Sequence, residues 1–159
     1  LSVKVRDEDY MRLALGLADE AAGNGEVPVG SVVVMGDAVI GRGFNSSVTD
    51  HDPSAHAEVV ALRQAALAQR SFRLDKATLY VTLEPCLMCC GALLQARVSR
   101  LVYGAREPRT GAVVSAHEAL MAPGTTHHIA ITEGILAPAC RERLQSFFGS
   151  RRPGAATGE

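Results

Sequence analysis

The sequence contains no apolar run approaching the ~18 residues that a membrane span requires. Its longest runs, such as Ser31 to Met35 and Gly91 to Leu94, end after a few residues. It also lacks a basic start followed by an apolar segment. Lys4 and Arg6 lead straight into Asp7, Glu8 and Asp9, so no secretory signal is expected. Cysteine is sparse. Cys86, Cys89, Cys90 and Cys140 are the whole complement, which excludes the dense framework of a disulfide-stapled secreted domain and points to reduced thiols in a cytoplasm. Tryptophan is absent, lysine occurs twice against fourteen arginines, and no internal repeat is visible. What remains is ordinary for a globule. The 159 residues are 47% apolar and 21% charged, which predicts one folded domain and excludes disordered, collagen-like or coiled-coil chains.

The net charge of −1 hides an asymmetry, because residues 1–96 carry −4 and residues 97–152 carry +4. Basic residues gather around Arg97, Arg100, Arg106 and Arg109, and again at Arg141, Arg143, Arg151 and Arg152. That pattern suits a polyanionic partner on one face, and the arginine preference suits phosphate. Solvated arginines are the plain alternative.

Helical spacing of Tyr10, Leu13, Ala14, Leu17, Ala18 and Ala21 predicts a first helix capped by Asp7 and stopping near Gly23. Val29–Met35 and Ala38–Asn45 read as a hairpin turned at Gly36-Asp37. Further helices are predicted at 56–68, 85–96, 115–121 and 138–148, and strands at 78–83, 99–103 and 128–132. The alternation makes the chain α/β, with helices on both faces of one sheet. The helix up to Ala96 is apolar nearly all round, so it is covered on both sides, by this chain or by a second subunit.

Two short motifs carry the chemistry. His56-Ala57-Glu58 opens one helix and Pro85-Cys86-Leu87-Met88-Cys89 opens another. Cysteines three apart on a helical turn put both sulfurs on one face, and the helix N-terminus favours their thiolates. Two thiolates and a neutral imidazole suit Zn²⁺ and leave a fourth position open, the catalytic pattern. Glu58 need not bind the metal and is placed to carry protons for an attacking water. This H-x-E…P-C-x-x-C order is that of zinc-dependent nucleobase deaminases. The alternatives are a closed structural site completed by Cys90, Cys140 or His51, or a reduced pair without metal.

Glu26-Val27-Pro28-Val29-Gly30, His51 through Glu58, Thr78 through Cys86 and Gly104-Ala105-Arg106 together resemble the bacterial tRNA-specific adenosine deaminases, a likeness spanning residues 7–152. The resemblance implies a cytidine-deaminase-like three-layer α/β/α fold with a central mixed sheet. It implies one zinc per subunit and a homodimer, while length and composition predict a single domain over 1–150 with a short frayed tail over 151–159, and the reduced thiols predict a cytoplasmic location. It also implies conversion of the wobble adenosine in the anticodon stem-loop of an arginine tRNA to inosine. By position, His56, Cys86 and Cys89 match the metal ligands, Glu58 the proton shuttle and Asn45 the residue that holds the base, while Val29 and Leu83 match pocket walls. Taken from the residues alone, Asn45 is a strand-end turn residue and the two apolar residues are core.

RNA contacts are expected from Arg106, Glu107, Arg109, Phe148, Arg151 and Arg152. The sequence departs from the family at Phe44, where tryptophan is frequent, at Glu107, where aspartate is usual, and at Thr126-His127-His128. A deaminase of free nucleobases or nucleosides and a catalytically silent RNA-binding subunit are the competing readings. Retention of Glu58 argues against the silent subunit.

Overall fold

A computed structural model describes residues 3–151, with side chains from Arg6 onward. Helix α1 (Val3–Gly23) leads into strands β1 (Gly30–Met35) and β2 (Ala38–Phe44). Their hairpin turns at Gly36, whose φ of 62° is unstrained only without a Cβ. Then follow α2 (Ala57–Gln69), β3 (Ala77–Leu83), α3 (Leu87–Ala96) and β4 (Arg100–Ala105). A 3₁₀ turn (Ala119–Met121), β5 (Ala130–Thr132) and α4 (Ala137–Gly149) complete the described chain.

The five strands form one sheet in the order β2-β1-β3-β4-β5. β1 is antiparallel to β2 and β3, while β3, β4 and β5 run parallel. Alternation along each strand divides the apolar side chains between two faces. Val33, Leu79, Val81, Leu101 and Tyr103 pack with Ala61, Leu62 and Ala65 of α2 and Leu93 of α3. Val32, Val34, Tyr80 and Val102 pack with Met11 and Ala14 of α1 and Cys140 of α4. The result is the expected three-layer α/β/α arrangement around a mixed sheet. At Gly43 a Cβ would collide with the Ala57 carbonyl, so glycine lets the start of α2 lie directly on β2.

Two expectations are corrected. Asp7 does not cap α1, which already begins at Val3. Instead Asp7 is buried and accepts from Arg100 Nη1 at 2.8 Å and Nη2 at 2.6 Å, and from the Tyr80 hydroxyl at 2.8 Å, which locks α1 to β3 and β4. The segment from Ser115 is not a helix. The Ser115 N–H is spent on the Glu84 carboxylate and those of Ala116 and His117 on the Gly111 carbonyl, and only Ala119–Met121 turns, as 3₁₀. The helix predicted to end at Phe148 runs to Gly149, and residues 152–159 of the expected tail lie outside the described chain.

Burial acts to raise the Asp7 carboxyl, but the bonds from Arg100 and Tyr80 outweigh it and hold it below its ordinary value of 3.8. Its stabilisation is therefore fully present above pH ~4 and is lost as pH falls through the depressed value. Asp7→Asn should cost about 3 kcal/mol at pH 7, since it strands Arg100. Urea unfolding should show the gap between the variant and the parent closing as the pH is taken below 4.

Candidate active site

β3 ends at Leu83, and Glu84 and Pro85 carry the chain into Cys86, the N-cap residue of α3. His56 holds the same position on α2. Neither side chain caps its own helix, so both are available to a ligand. On α2 the capping is done by Asn45, whose Oδ1 accepts from the Ala57 N–H at 2.8 Å. Both helix N-termini thus converge at the carboxyl ends of β3 and β4, where open α/β sheets place their ligands.

His56 Nδ1 lies 3.6 Å from Cys86 Sγ and 3.6 Å from Cys89 Sγ, and the three atoms all lie within 4.8 Å of one another. A tetrahedral ion with bonds of about 2.3 Å to sulfur and about 2.0–2.1 Å to nitrogen has sulfur–nitrogen edges of about 3.5–3.6 Å. The donor set and its spacing therefore fit a metal ion. Hydrogen bonds from Cys89 and His56 pull the Cys86 thiol down to about 3 despite burial, the direction that suits a metal ligand. Its partner Cys89 is pushed up by the hydrogen bond to Cys86 and by burial, and His56 is raised chiefly by its bond to Cys86.

Glu58 is 4% exposed, and burial pushes its carboxyl up to about 7. It stands outside the ligand triad, as an acid–base group must. Cys90 and Cys140 are buried thiols pushed up to about 12 and about 11 by burial, and neither they nor His51 join the cluster among the described residues. Among the described residues the closed structural alternative has no fourth protein ligand.

The remaining expected residues fall in three places. Val29 is 4% exposed, and its carbonyl accepts from the Asn45 N–H at 3.2 Å, while Leu83 is half-buried between both core clusters. Arg106 is exposed but forms a two-pronged pair with Glu133 at 2.8 and 3.0 Å. Glu107 accepts from the Arg109 N–H at 2.8 Å, and the Arg109 side chain is exposed. On α4, Phe148 is 48% exposed and meets Phe147 edge-on, with the Arg151 guanidinium 3.9 Å from the Phe147 ring centre. Arg152 lies outside the described residues.

Two features were missed. One is a pair of buried carboxylates, Glu26 and Glu84, 3% and 2% exposed, that hold loops beside the site. Glu26 accepts from the N–H of Val48 at 3.3 Å and from the N–H and hydroxyl of Thr49 at 2.6 and 2.7 Å. An acid embedded in an apolar stretch, as in Val81-Thr82-Leu83-Glu84-Pro85, requires such partners and was the available signal. The other is a 510 Å³ groove at the far end of α3, where Phe72, Arg73, Arg97 and His127 meet. These residues are too far apart in sequence for any spacing to reveal it.

A nitrogen and two sulfurs at paired helix starts, beside a buried carboxylate that does not ligate, define a metal-dependent hydrolytic deaminase. Residues 5–135 match the family model of MafB19-like deaminases. The chain is 47% identical over 156 residues to the tRNA-specific adenosine deaminase of Haemophilus influenzae, covering 95% of this chain and 90% of that one. A solved structure from studies of A-to-I editing by tRNA:A34 deaminases at the wobble position superposes with a TM-score of 0.84 at 40% identity, covering 86% of this chain and 99% of the other. The guanine deaminase of Nitrosomonas europaea shares the fold at a TM-score of 0.74 and 26% identity, over 88% and 83% of the two chains. The chain belongs to the family of tRNA-specific adenosine deaminases.

Removal of any ligand should empty the centre. Cys86→Ser and Cys89→Ser should each lose bound metal in elemental analysis. Cys90→Ala and Cys140→Ala should keep it, and X-ray absorption should show two sulfurs, one nitrogen and one further light ligand.

Proposed function

We propose that this protein hydrolyses adenosine to inosine at the wobble position of a tRNA anticodon loop, using one Zn²⁺ per subunit held by His56, Cys86 and Cys89. The observation that carries the chemistry is Glu58, buried beside the ligand triad without belonging to it. The substrate rests on the identity to tRNA-specific adenosine deaminases across most of the chain. When bound, zinc supplies the Lewis acidity that activates water near neutral pH.

The chain's own residues do the rest. Glu58, with a carboxyl raised to about 7, both accepts and donates a proton near neutral pH. It takes a proton from the attacking water and delivers it to ring nitrogen N1 as oxygen bonds to C6. It then transfers the remaining hydroxyl proton to the amino group as the C6–N bond breaks and ammonia leaves. Asn45, with Oδ1 committed to Ala57, has its Nδ2 donors left for the base, and Val29 and Leu83 wall the pocket. A loop adenosine is already partly unstacked, so extruding it costs less than the few kcal/mol typical of a duplex.

RNA is held on the basic second half. Arg109, Arg151 and Arg152 offer guanidiniums to phosphates, Glu107 and Phe148 add contacts, and Arg106 must exchange Glu133 for a phosphate to join them. The partner tRNA is an arginine tRNA, and the working form is a cytoplasmic homodimer. Support for the dimer is the face of α3 bearing Leu87, Met88, Gly91 and Gln95, exposed here, with exposed Met121 in the 3₁₀ turn that packs on α3 and exposed Val114 shortly before it. No described helix is long and apolar enough to cross a membrane.

Glu58→Gln should retain the metal and the fold yet lose at least about a hundredfold in kcat, as removing a general acid–base group does. Loss of the metal in that variant would make Glu58 a ligand. Three phosphate contacts at about 0.7 each predict that log affinity for a single-stranded RNA loop falls with log salt at a slope near −2. Arg109→Ala should flatten that slope with metal content unchanged. Sedimentation should give about twice 16.8 kDa.

A further inference from the structure

Between the end of β4 at Ala105 and the 3₁₀ turn at Ala119 the chain has no helix or strand. This loop carries Arg106, Glu107 and Arg109, and one side chain from outside it holds both of its ends. Glu84 Oε1 accepts from the Glu107 N–H at 3.1 Å and from the Ser115 hydroxyl. Its Oε2 accepts from the N–H groups of Val113, Val114 and Ser115 at 3.0, 2.9 and 3.0 Å. None of the ion pairs among the described residues involves Glu84, so N–H and O–H dipoles alone meet its charge.

The backbone around it reinforces the clamp. Glu84 N–H donates to the Ala105 carbonyl at 2.8 Å, and Ala112 N–H to the Pro85 carbonyl at 2.8 Å. Gly111 passes so close that a Cβ there would collide with the Glu84 carboxyl and the Glu107 carbonyl. Two residues after Glu84 stands Cys86, a metal-ligand residue.

We propose that Glu84 is a positioning residue for the RNA: by pinning both ends of loop 106–115 to the turn that delivers Cys86, it sets the distance between the RNA-holding side chains and the metal centre. The inference rests on the reading of this site as an RNA deaminase. Glu84 does not touch the base. It acts because a loop held at both ends already presents its RNA-holding side chains in the arrangement that binds, so association does not have to order them. Glutamine preserves the shape but turns an NH₂ group toward N–H donors, leaving them unmet.

The test measures kcat and KM separately on an anticodon stem-loop RNA for the parent protein, Glu84→Gln and Ser115→Ala, with metal content and amide hydrogen exchange alongside. The parent arm isolates the functional reading, because a parent inactive on this RNA overturns that reading and the inference together. With an active parent, Glu84→Gln should raise KM about tenfold, the effect of leaving buried donors unmet. Its kcat should stay within about twofold, its metal content unchanged, and exchange at Val113 to Ser115 should accelerate. Ser115→Ala, which removes one bond, should raise KM about threefold with the same split and decides the matter if Glu84→Gln does not fold. Faster exchange with KM unchanged would overturn the inference, as would a fall in kcat or in metal content at unchanged KM.

Discussion

Two helix N-termini meeting at one point is the constraint on which the molecule depends. His56 and Cys86 each occupy the N-cap position of a helix, and three donor atoms from those two turns come within 4.8 Å of one another. A residue at an N-cap normally spends its side chain on the helix's unmet N–H groups. Here the side chains face the ligand position, so the first N–H of α2 must be met from elsewhere, and Asn45 meets it. The residue proposed to hold the base is thereby fixed relative to His56 by the same bond that completes the helix.

That convergence demands that two connections arrive in register. β3 delivers Cys86 directly, while His56 follows a long loop from β2. Each neighbouring loop is held by a buried carboxylate whose charge is met by backbone dipoles, Glu26 for 46–52 and Glu84 for 106–115. In both, burial acts to raise the acid and the accepted hydrogen bonds outweigh it, leaving both carboxyls below the ordinary range. At the opposite end of the parallel strands, Asp7 and Arg100 fasten α1 to the sheet.

Much of this was legible in the residues. The period of apolar positions gave α1, the hairpin and the α/β class, and the spacing of His56, Glu58, Cys86 and Cys89 gave the centre, because those groups are fixed by helical turns. Asn45 and the mixed sheet came only from the family likeness. What stayed hidden was set by contacts distant in sequence. Asp7 looks like a cap because local propensity cannot see Arg100, 93 residues away. Residues 115–118 look helical because nothing local reveals that the Ser115 N–H is taken by Glu84 and those of Ala116 and His117 by the Gly111 carbonyl. Arg106 looks like a free phosphate ligand until Glu133 is found beside it.

The central claim is that the site at these helix starts takes a nucleobase presented by RNA. The most direct measurement gives one metal-loaded preparation four substrates in parallel: an anticodon stem-loop with a single loop adenosine, free adenosine, guanine and cytosine. The account predicts inosine in the RNA at a kcat/KM at least about a hundredfold above any free compound, since only the RNA recruits the basic half of the chain for binding. Deamination of guanine or cytosine that matches or outruns the RNA reaction would contradict it.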